Sequence, residues 1–508
     1  MENIKKYFVD IKLKNNLDTI KNITNYDKSY DIKIREFNIL FLNKTISGFL
    51  VFVEGLVDKN IINNDILKNI TNNNFLNINM NNDIEKYLAN SILSNYDISE
   101  EIKFEKIVNE IFFGKVAIFF DGIKKSFIGD ILKYEHRNIE KPYFESSIKG
   151  PQEAFNECLS INTALIRKNI QSKDLIIETI EIGDTAKNRC AVMYMEGITN
   201  KKLVRSIKNR ISKIKVDIIL STDTLSQYIT TNTFNPIPTM QITERPDRVA
   251  SSLLEGRCVI LTNNTPIALI APTTIFDWFH SSEDAYLKAP SNITLKIIRI
   301  VSMFVAIFLP AIYIATVTYH LDIFPTNIAM TLSASREIVP LSFLTEIIIM
   351  EIAFELLREA EMRVPTRIGP VVSIVGGLIL GQLAVMANII CSFTMIIIGF
   401  TGIALYAIPN FFVSYGLRNI RYVFIILAFV NGYLALALGG VILLLYLANT
   451  YSFGTSVLPC VYIDKNRNII KQIFTTPIWK RELRPYTVDA QNIHSQPKIS
   501  RRWINGRY

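Results

Sequence analysis

Polar and apolar positions divide this chain into halves of different character. From residue 371 to residue 463 the charged side chains are Arg418 and Arg421, whereas residues 1–110 alternate charges with Asn-rich stretches. In the front half, short apolar runs bounded by turn residues predict strands at Phe49–Val53, Val116–Phe120, Ala191–Met195 and Val259–Leu261. Apolar positions at helical spacing predict helices over Asn60–Ile70, Lys201–Ile214 and, after the turn Lys149-Gly150-Pro151, Gln152–Asn169. In the back half, Ile297–Tyr319 gives 23 residues with one charge, Arg299; ~20 suffice to span a bilayer. Val371–Leu417 continues for 47 residues without a charge, ~70 Å as helix. That length predicts two crossings with a tight turn near Asn388–Ser392, and Tyr422–Ala448 predicts a further span.

The front half repeats itself. Val51-Phe-Val-Glu-Gly-Leu recurs as Met193-Tyr-Met-Glu-Gly-Ile, so Glu54 and Gly55 match Glu196 and Gly197, 142 positions on. Gly114 matches Gly256 at the same offset. Each copy reads as a buried strand ending in a Glu-Gly turn, an amphipathic helix, a later helix stopped by the second glycine, and a second strand. The expected fold is an α/β soluble N-terminal region built from two similar subdomains, followed by an all-α multi-pass transmembrane domain. The expected boundaries are an extension over 1–35, subdomain one over 36–135, a helical linker over 136–177 and subdomain two over 178–288. The transmembrane domain follows over 289–450 and a basic tail over 451–508.

One apolar segment carries charge. Pro340–Leu357 holds Glu346, Glu351 and Glu355, followed by Arg358, and the last three share a helical stripe. Carboxylates at membrane depth face a bundle interior or an aqueous path; a helix lying at the interface would put them in water. Both readings stay open. Lys288, Lys296 and Arg299 flank the first span and the tail is basic, which places both ends inside and demands an even number of crossings. Ser373, Gly377 and Gly381, with Gln382 beside them, form a small-residue stripe that packs helices closely or lines a narrow path.

Composition narrows the function. The five cysteines are odd in number and widely spaced, without CxxC, so neither a disulfide framework nor a zinc site is expected. No apolar leader opens the sequence, which points to a cytoplasmic front half. A net charge of +9 comes with ten Lys/Arg against three acids in residues 464–508, beside a span, so anionic lipid is a better partner than nucleic acid. Phosphate-loop, dinucleotide, zincin and serine-hydrolase motifs are absent, so neither an enzyme nor a cofactor is expected.

Several strings together resemble one family. Phe52-Val-Glu-Gly-Leu-Val-Asp-Lys59, Thr243-Glu-Arg-Pro-Asp-Arg-Val249 with Leu254-Glu-Gly-Arg257, and Ile270-Ala-Pro-Thr-Thr274 are similar to the A subunits of GerA-type spore germinant receptors. So are Met350-Glu-Ile-Ala-Phe-Glu-Leu-Leu-Arg-Glu-Ala360, Ile374-Val-Gly-Gly377 with Gly381-Gln382, and Ala407-Ile-Pro-Asn410. The likeness runs from about residue 38 to about residue 485. It departs at Met386, where the family has a polar or acidic position, and at Arg336-Glu-Ile-Val-Pro340, which lacks the family's glycine. Resemblance implies a spore inner-membrane protein working with a transporter-like B subunit and a lipoprotein C subunit, self-associated in a ring, a pentamer, that opens as a cation channel. A SpoVA-associated paralogue shares these motifs. A non-conducting scaffold is the main alternative; a secondary transporter fits less well, since the repeat lies in the soluble half. Glu346, Glu351, Glu355, Arg358 and the Ser373/Gly377/Gly381/Gln382 stripe are then candidate path-lining positions. Glu244, Arg245, Asp247 and Arg248 are a candidate subunit-interface strip, or a solvated turn in which Asp247 caps a helix over Val249–Leu254.

Overall fold

The structure, a computed structural model, describes residues 7–41, 44–67, 98–131, 149–364, 369–459 and 482–497, with Pro142 and Glu145. The Asn72–Asn74 patch, the end of the first expected helix at Ile70, Arg367 and most of the basic tail lie outside the described residues. Two compact units divide the chain: residues 1–231, 240–272 and 481–508 form one, residues 232–239 and 273–480 the other.

In the first unit, strands β1 (Ile32–Phe41), β2 (Lys44–Val53), β3 (Ile98–Glu101), β4 (Lys115–Phe120) and β5 (Ser126–Asp130) make an antiparallel sheet in the order β1-β2-β4-β5-β3. Strands β6 (Leu175–Ile182), β7 (Asn188–Met195), β8 (Gln241–Thr243), β9 (Cys258–Thr262) and β10 (Ala268–Ala271) repeat that order as β6-β7-β9-β10-β8. Register repeats too. Val51 faces Ala117 as Met193 faces Val259, and Ser99 faces Ile128 as Gln241 faces Ile270, each 142 positions on. Helix α2 (Phe104–Phe112) precedes Gly114 as α6 (Pro246–Glu255) precedes Gly256. Both glycines sit at positive φ, 91° and 100°, where a side chain would be strained.

The duplication reaches further than its sequence signature. Helices α1 (Leu13–Thr24) and α3 (Leu159–Asn169) are held by the same bonds at an offset of 146. Asn16 Oδ1 accepts from Asp10 N–H at 2.7 Å, as Asn162 Oδ1 does from Asn156 N–H at 2.9 Å. Leu13 N–H donates to Asp121 at 3.1 Å, and Leu159 N–H donates to Asn263 at 3.1 Å. Thus α1, in the stretch expected as an extension, and α3, in the stretch expected as a linker, occupy equivalent places on their sheets. One face of each sheet buries strand residues against two helices, α1 with α2 in the first and α3 with α6 in the second: Val51 and Phe119 pack with Ile20 and Ile107, and Met193 and Leu261 with Ile166 and Leu253. Each such side chain contributes roughly 1.5–3 kcal/mol of burial. Helices α4 (Lys201–Ser212) and α5 (Thr222–Ile229), capped by Asn200 and Ser221, complete the second repeat.

The second unit is helical: α7 (Ala289–Tyr319), α8 (Thr326–Ile338), α9 (Phe343–Arg363), α10 (Gly369–Met386), α11 (Ser392–Tyr406) and α12 (Phe411–Asn449). Pro290–Tyr319 and Phe411–Asn449 are long and apolar enough to cross a membrane. The expected turn between α10 and α11 falls at Asn388, in the left-handed region at φ 55°. The last long helix differs from expectation. At Asn431 and Gly432 the backbone leaves helical geometry, and a Cβ on Gly439 would touch Leu427 and Phe424 at 2.8 and 3.1 Å. Residues 15 apart in a straight helix lie ~22 Å apart, so α12 is two arms folded back on each other. Tyr319 Oη donates to the carbonyls of Phe429 and Val430 at 2.7 and 3.0 Å, which the bend takes out of the helical ladder. The first arm lies parallel to α7 (Phe308 on Phe424, Tyr319 at Val430) and antiparallel to α9.

Candidate functional site

A ladder of ion pairs joins α9 to its neighbours. Near the start of α9, Glu346 is fully buried; its carboxylate binds Arg336 of α8 at 2.5 Å and accepts from Cys391 N–H at 3.0 Å and the Thr394 hydroxyl at 3.1 Å. One turn further, buried Glu351 binds buried Arg421 on α12 at 2.5 Å. Another turn on, Glu355 binds Arg418 at 2.9 Å and also Arg358. Both guanidinium groups of that last rung lie against the Tyr415 ring, 4.3 and 5.3 Å from its centre. Glu355 keeps a 42% exposed side chain, whereas Arg418 keeps 5%.

The three carboxylates are thus paired across helices. Sequence spacing placed Glu351, Glu355 and Arg358 on one stripe; it did not reveal that Arg418 and Arg421, i and i+3 on α12, form the facing stripe. The available signal was the isolation of those two arginines in an otherwise uncharged stretch. Burying one charge alone costs several kcal/mol, so two isolated apolar-region arginines require acids opposite them. Counting Arg336, Arg358, Arg418 and Arg421 against Glu346, Glu351 and Glu355, the ladder carries one excess positive charge.

On α10, Gly377 has open space where a Cβ would stand, while a Cβ on Gly381 would meet the terminal methyl of Met395 on α11 at 2.2 Å. Gln382 is exposed, as are Leu378, Ile379, Leu380, Leu383 and Met386. The Ser373 side chain lies outside the described residues. The small-residue stripe therefore splits: Gly381 faces a neighbouring helix and Gly377 does not.

The Thr243–Arg248 string makes contacts within the first unit. Arg245 is fully buried, holds Asp247 at 2.8 and 3.0 Å and donates to the carbonyls of Glu145 and Pro151. Arg248 pairs with Glu145, whose other oxygen accepts from Thr243 at 2.5 Å. Glu244 is buried, and its carbonyl accepts from Phe155 N–H at 2.9 Å. The helix begins at Pro246, three residues before the expected start, and Asp247 holds Arg245 rather than capping.

A second polar cluster, unforeseen from sequence, joins the first turns of α7 to the segment before it. Arg299 donates to both oxygens of buried Asp284 at 2.9 and 2.7 Å and to the Phe279 carbonyl at 2.8 Å. Lys296, also buried, meets His280 Nε2 at 2.8 Å, and His280 Nδ1 meets the Phe276 carbonyl at 2.6 Å. A carbonyl only accepts, so Nδ1 carries the proton and Nε2 accepts from lysine. Burial, then the Lys296 charge, pushes the His280 pKa down to about 4.

Comparison with known proteins decides the family. A model described as Bacillus/Clostridium GerA spore germination protein matches residues 18–487. The chain belongs to the GerA family. Among GerA relatives, it is 36% identical to an uncharacterized membrane protein of Bacillus subtilis, YfkQ, over 94% of this chain and 92% of the relative. It is 34% identical to Bacillus subtilis spore germination protein KA over 93% of this chain and 86% of that protein. It is 33% identical to Bacillus cereus spore germination protein GerLA over 74% and 77%. The crystal structure of the N-terminal domain of the A subunit of the Bacillus megaterium spore germinant receptor GerK3 covers 52% of this chain and 96% of its own, at 30% identity and a TM-score of 0.41. The resemblance stated from the sequence motifs is thereby confirmed at the level of the family.

Proposed function

We propose that this GerA-family chain is the membrane-embedded A subunit of a nutrient-gated germinant receptor, self-associated as a cation channel that releases ions at germination. It would act in the spore inner membrane with a B and a C subunit, its first unit and tail on the cytoplasmic side. The observation that carries this reading is the polar ladder at the depth of apolar helices, because charged groups inside a helical bundle are rare and mark ion paths or the locks beside them. Glu355 on the ladder and Gly377 on the exposed face of α10 are the positions that a neighbouring copy would complete into a path. Gly377→Leu adds bulk at a position where a Cβ meets nothing within 4 Å, and circular dichroism of the variant checks its fold. Potassium release from germinating spores carrying that variant should fall at least tenfold; unchanged release overturns the path assignment.

One observation favours the scaffold reading. Glu346, Glu351 and Glu355 each already have an arginine partner within this chain, so the α9 stripe offers no row of unpaired carboxylates among the described residues. A scaffold predicts that Gly377→Leu leaves ion release intact while loss of the ladder dismantles the complex.

A further inference from the structure

The two repeats meet through one surface on each. Repeat one offers Asp31, Gly55 and Phe112; repeat two offers the outer face of α3. Arg167 on α3 is fully buried, holds Asp31 at 2.7 and 2.8 Å, and lies 5.0 Å from the centre of the Phe112 ring. Gly55 sits so close to Ala164 that an added Cβ would meet the alanine methyl at 2.6 Å. Tyr30 N–H donates to the Ile177 carbonyl at 2.9 Å, extending the contact to the edge strand β6. Different surfaces meet, so the joint is head-to-tail.

Duplication provides a second example of each surface, left partly uncovered among the described residues. Asp174 is the counterpart of Asp31: Glu196 N–H donates to its carbonyl at 2.7 Å, just as Glu54 N–H donates to Asp31. Gly197 and Leu254 are the counterparts of Gly55 and Phe112. A Cβ on Gly197 would meet nothing within 4 Å, and Leu254 is 47% exposed where Phe112 is 2% exposed. Among the described residues, 482–497 flank this surface through Arg484 to the Leu254 carbonyl and Gln491 to the Ile198 carbonyl, and Lys28 of repeat one reaches Glu196 at 3.8 Å, while Asp174 stays half-buried and the Gly197 Cβ position stays open. At the other end, the offset of 146 makes Lys14, Asp18 and Lys21 on α1 the counterparts of Ser160, Ala164 and Arg167 on α3. Lys14 and Asp18 are exposed and Lys21 is half-buried. Among the described residues, neither Lys21 nor Asp174 has a side-chain ion partner.

We propose that a second copy of this chain continues the internal joint, its α1 seated on the Asp174–Gly197–Leu254 surface with Lys21 placed against Asp174. Complementarity supports this occupant: a cation stands where Arg167 stands, a carboxylate where Asp31 stands, and a glycine again permits close approach. Continuity with an existing joint is the second support, since the same fold already makes this contact once within each chain. A head-to-tail contact leaves both surfaces available on every assembly until it closes, so the product is a ring or an open row. The contact rests on the self-association in the proposed function and names the surface that carries it.

Charge reversal tests it. The full chain in detergent is weighed by native mass spectrometry as wild type, Asp174→Lys, Lys21→Glu and the two combined. Each single reversal should reduce the assembly to one copy, and the combination should restore it. Persistence of the assembly in either single variant, or failure of the combination to restore it, overturns this contact while leaving self-association by another surface standing. A monomeric wild type overturns both. Circular dichroism of each variant establishes folding. As an independent measurement, Lys21→Cys and Asp174→Cys chains carrying different tags in a Cys158→Ser background should crosslink when mixed; absence of a doubly tagged product overturns the contact.

Discussion

Replacing Arg421 by methionine would leave Glu351 buried at 3% exposure with its partner gone. One oxygen of that carboxylate already lacks a hydrogen-bond partner among the described residues. Removing one member of a buried ion pair costs roughly 3–5 kcal/mol, because the survivor stays desolvated. Arg418→Met is the control. Its partner Glu355 keeps Arg358 and a 42% exposed side chain, so solvent screens the loss to about 1 kcal/mol or less. A double replacement, Glu351→Leu with Arg421→Met, removes both charges and should return to within about 1 kcal/mol of wild type. Graded denaturation of the solubilised chain, followed by far-ultraviolet circular dichroism, measures the ranking. The reasoning fails if Arg421→Met is no worse than Arg418→Met, or if the double variant is as unstable as the single one.

Gly55→Ala and Gly197→Ala test the joint between repeats. Both residues have positive φ, 90° and 78°, which costs ~1 kcal/mol or more for alanine. Only Gly55 also meets Ala164, so its variant should melt lower; equal melting temperatures contradict the packing. For His280, the folded pKa near 4 lies below the ordinary 6.5, so the unfolded chain binds more protons between those values. Stability is then full above about 6.5 and falls as pH drops toward about 4. Lys296, Asp277 and Asp284 face the same ring. His280→Gln should flatten that part of the stability–pH curve, and an unchanged slope would assign the dependence to another group.

Legibility followed the range of the interaction. Glu-Gly turns and their 142-residue spacing are local, and backbone geometry needs those glycines, so the duplicated sheets were readable. Helices α1 and α3 were not read as counterparts, because three residues fewer separate α3 from its sheet and their shared signal is a single asparagine, Asn16 or Asn162. The reversal within α12 hides in an apolar run whose Asn431-Gly432 pair is an ordinary turn signal, outweighed by hydropathy on either side. Glu351 and Arg421 stand 70 positions apart, and no periodicity links residues on different helices. The Thr243–Arg248 string shows the opposite case. Four charged residues within five positions suggest exposure, yet folding buries Arg245 completely among carbonyls and Asp247.

Single-channel recording of the purified full chain in planar bilayers bears most directly on the central proposal. A conducting A subunit predicts discrete cation-selective steps from the wild type that vanish in Gly377→Leu. A silent bilayer, with the same preparation folded and assembled, would contradict conduction and leave this protein as the anchored scaffold of its receptor.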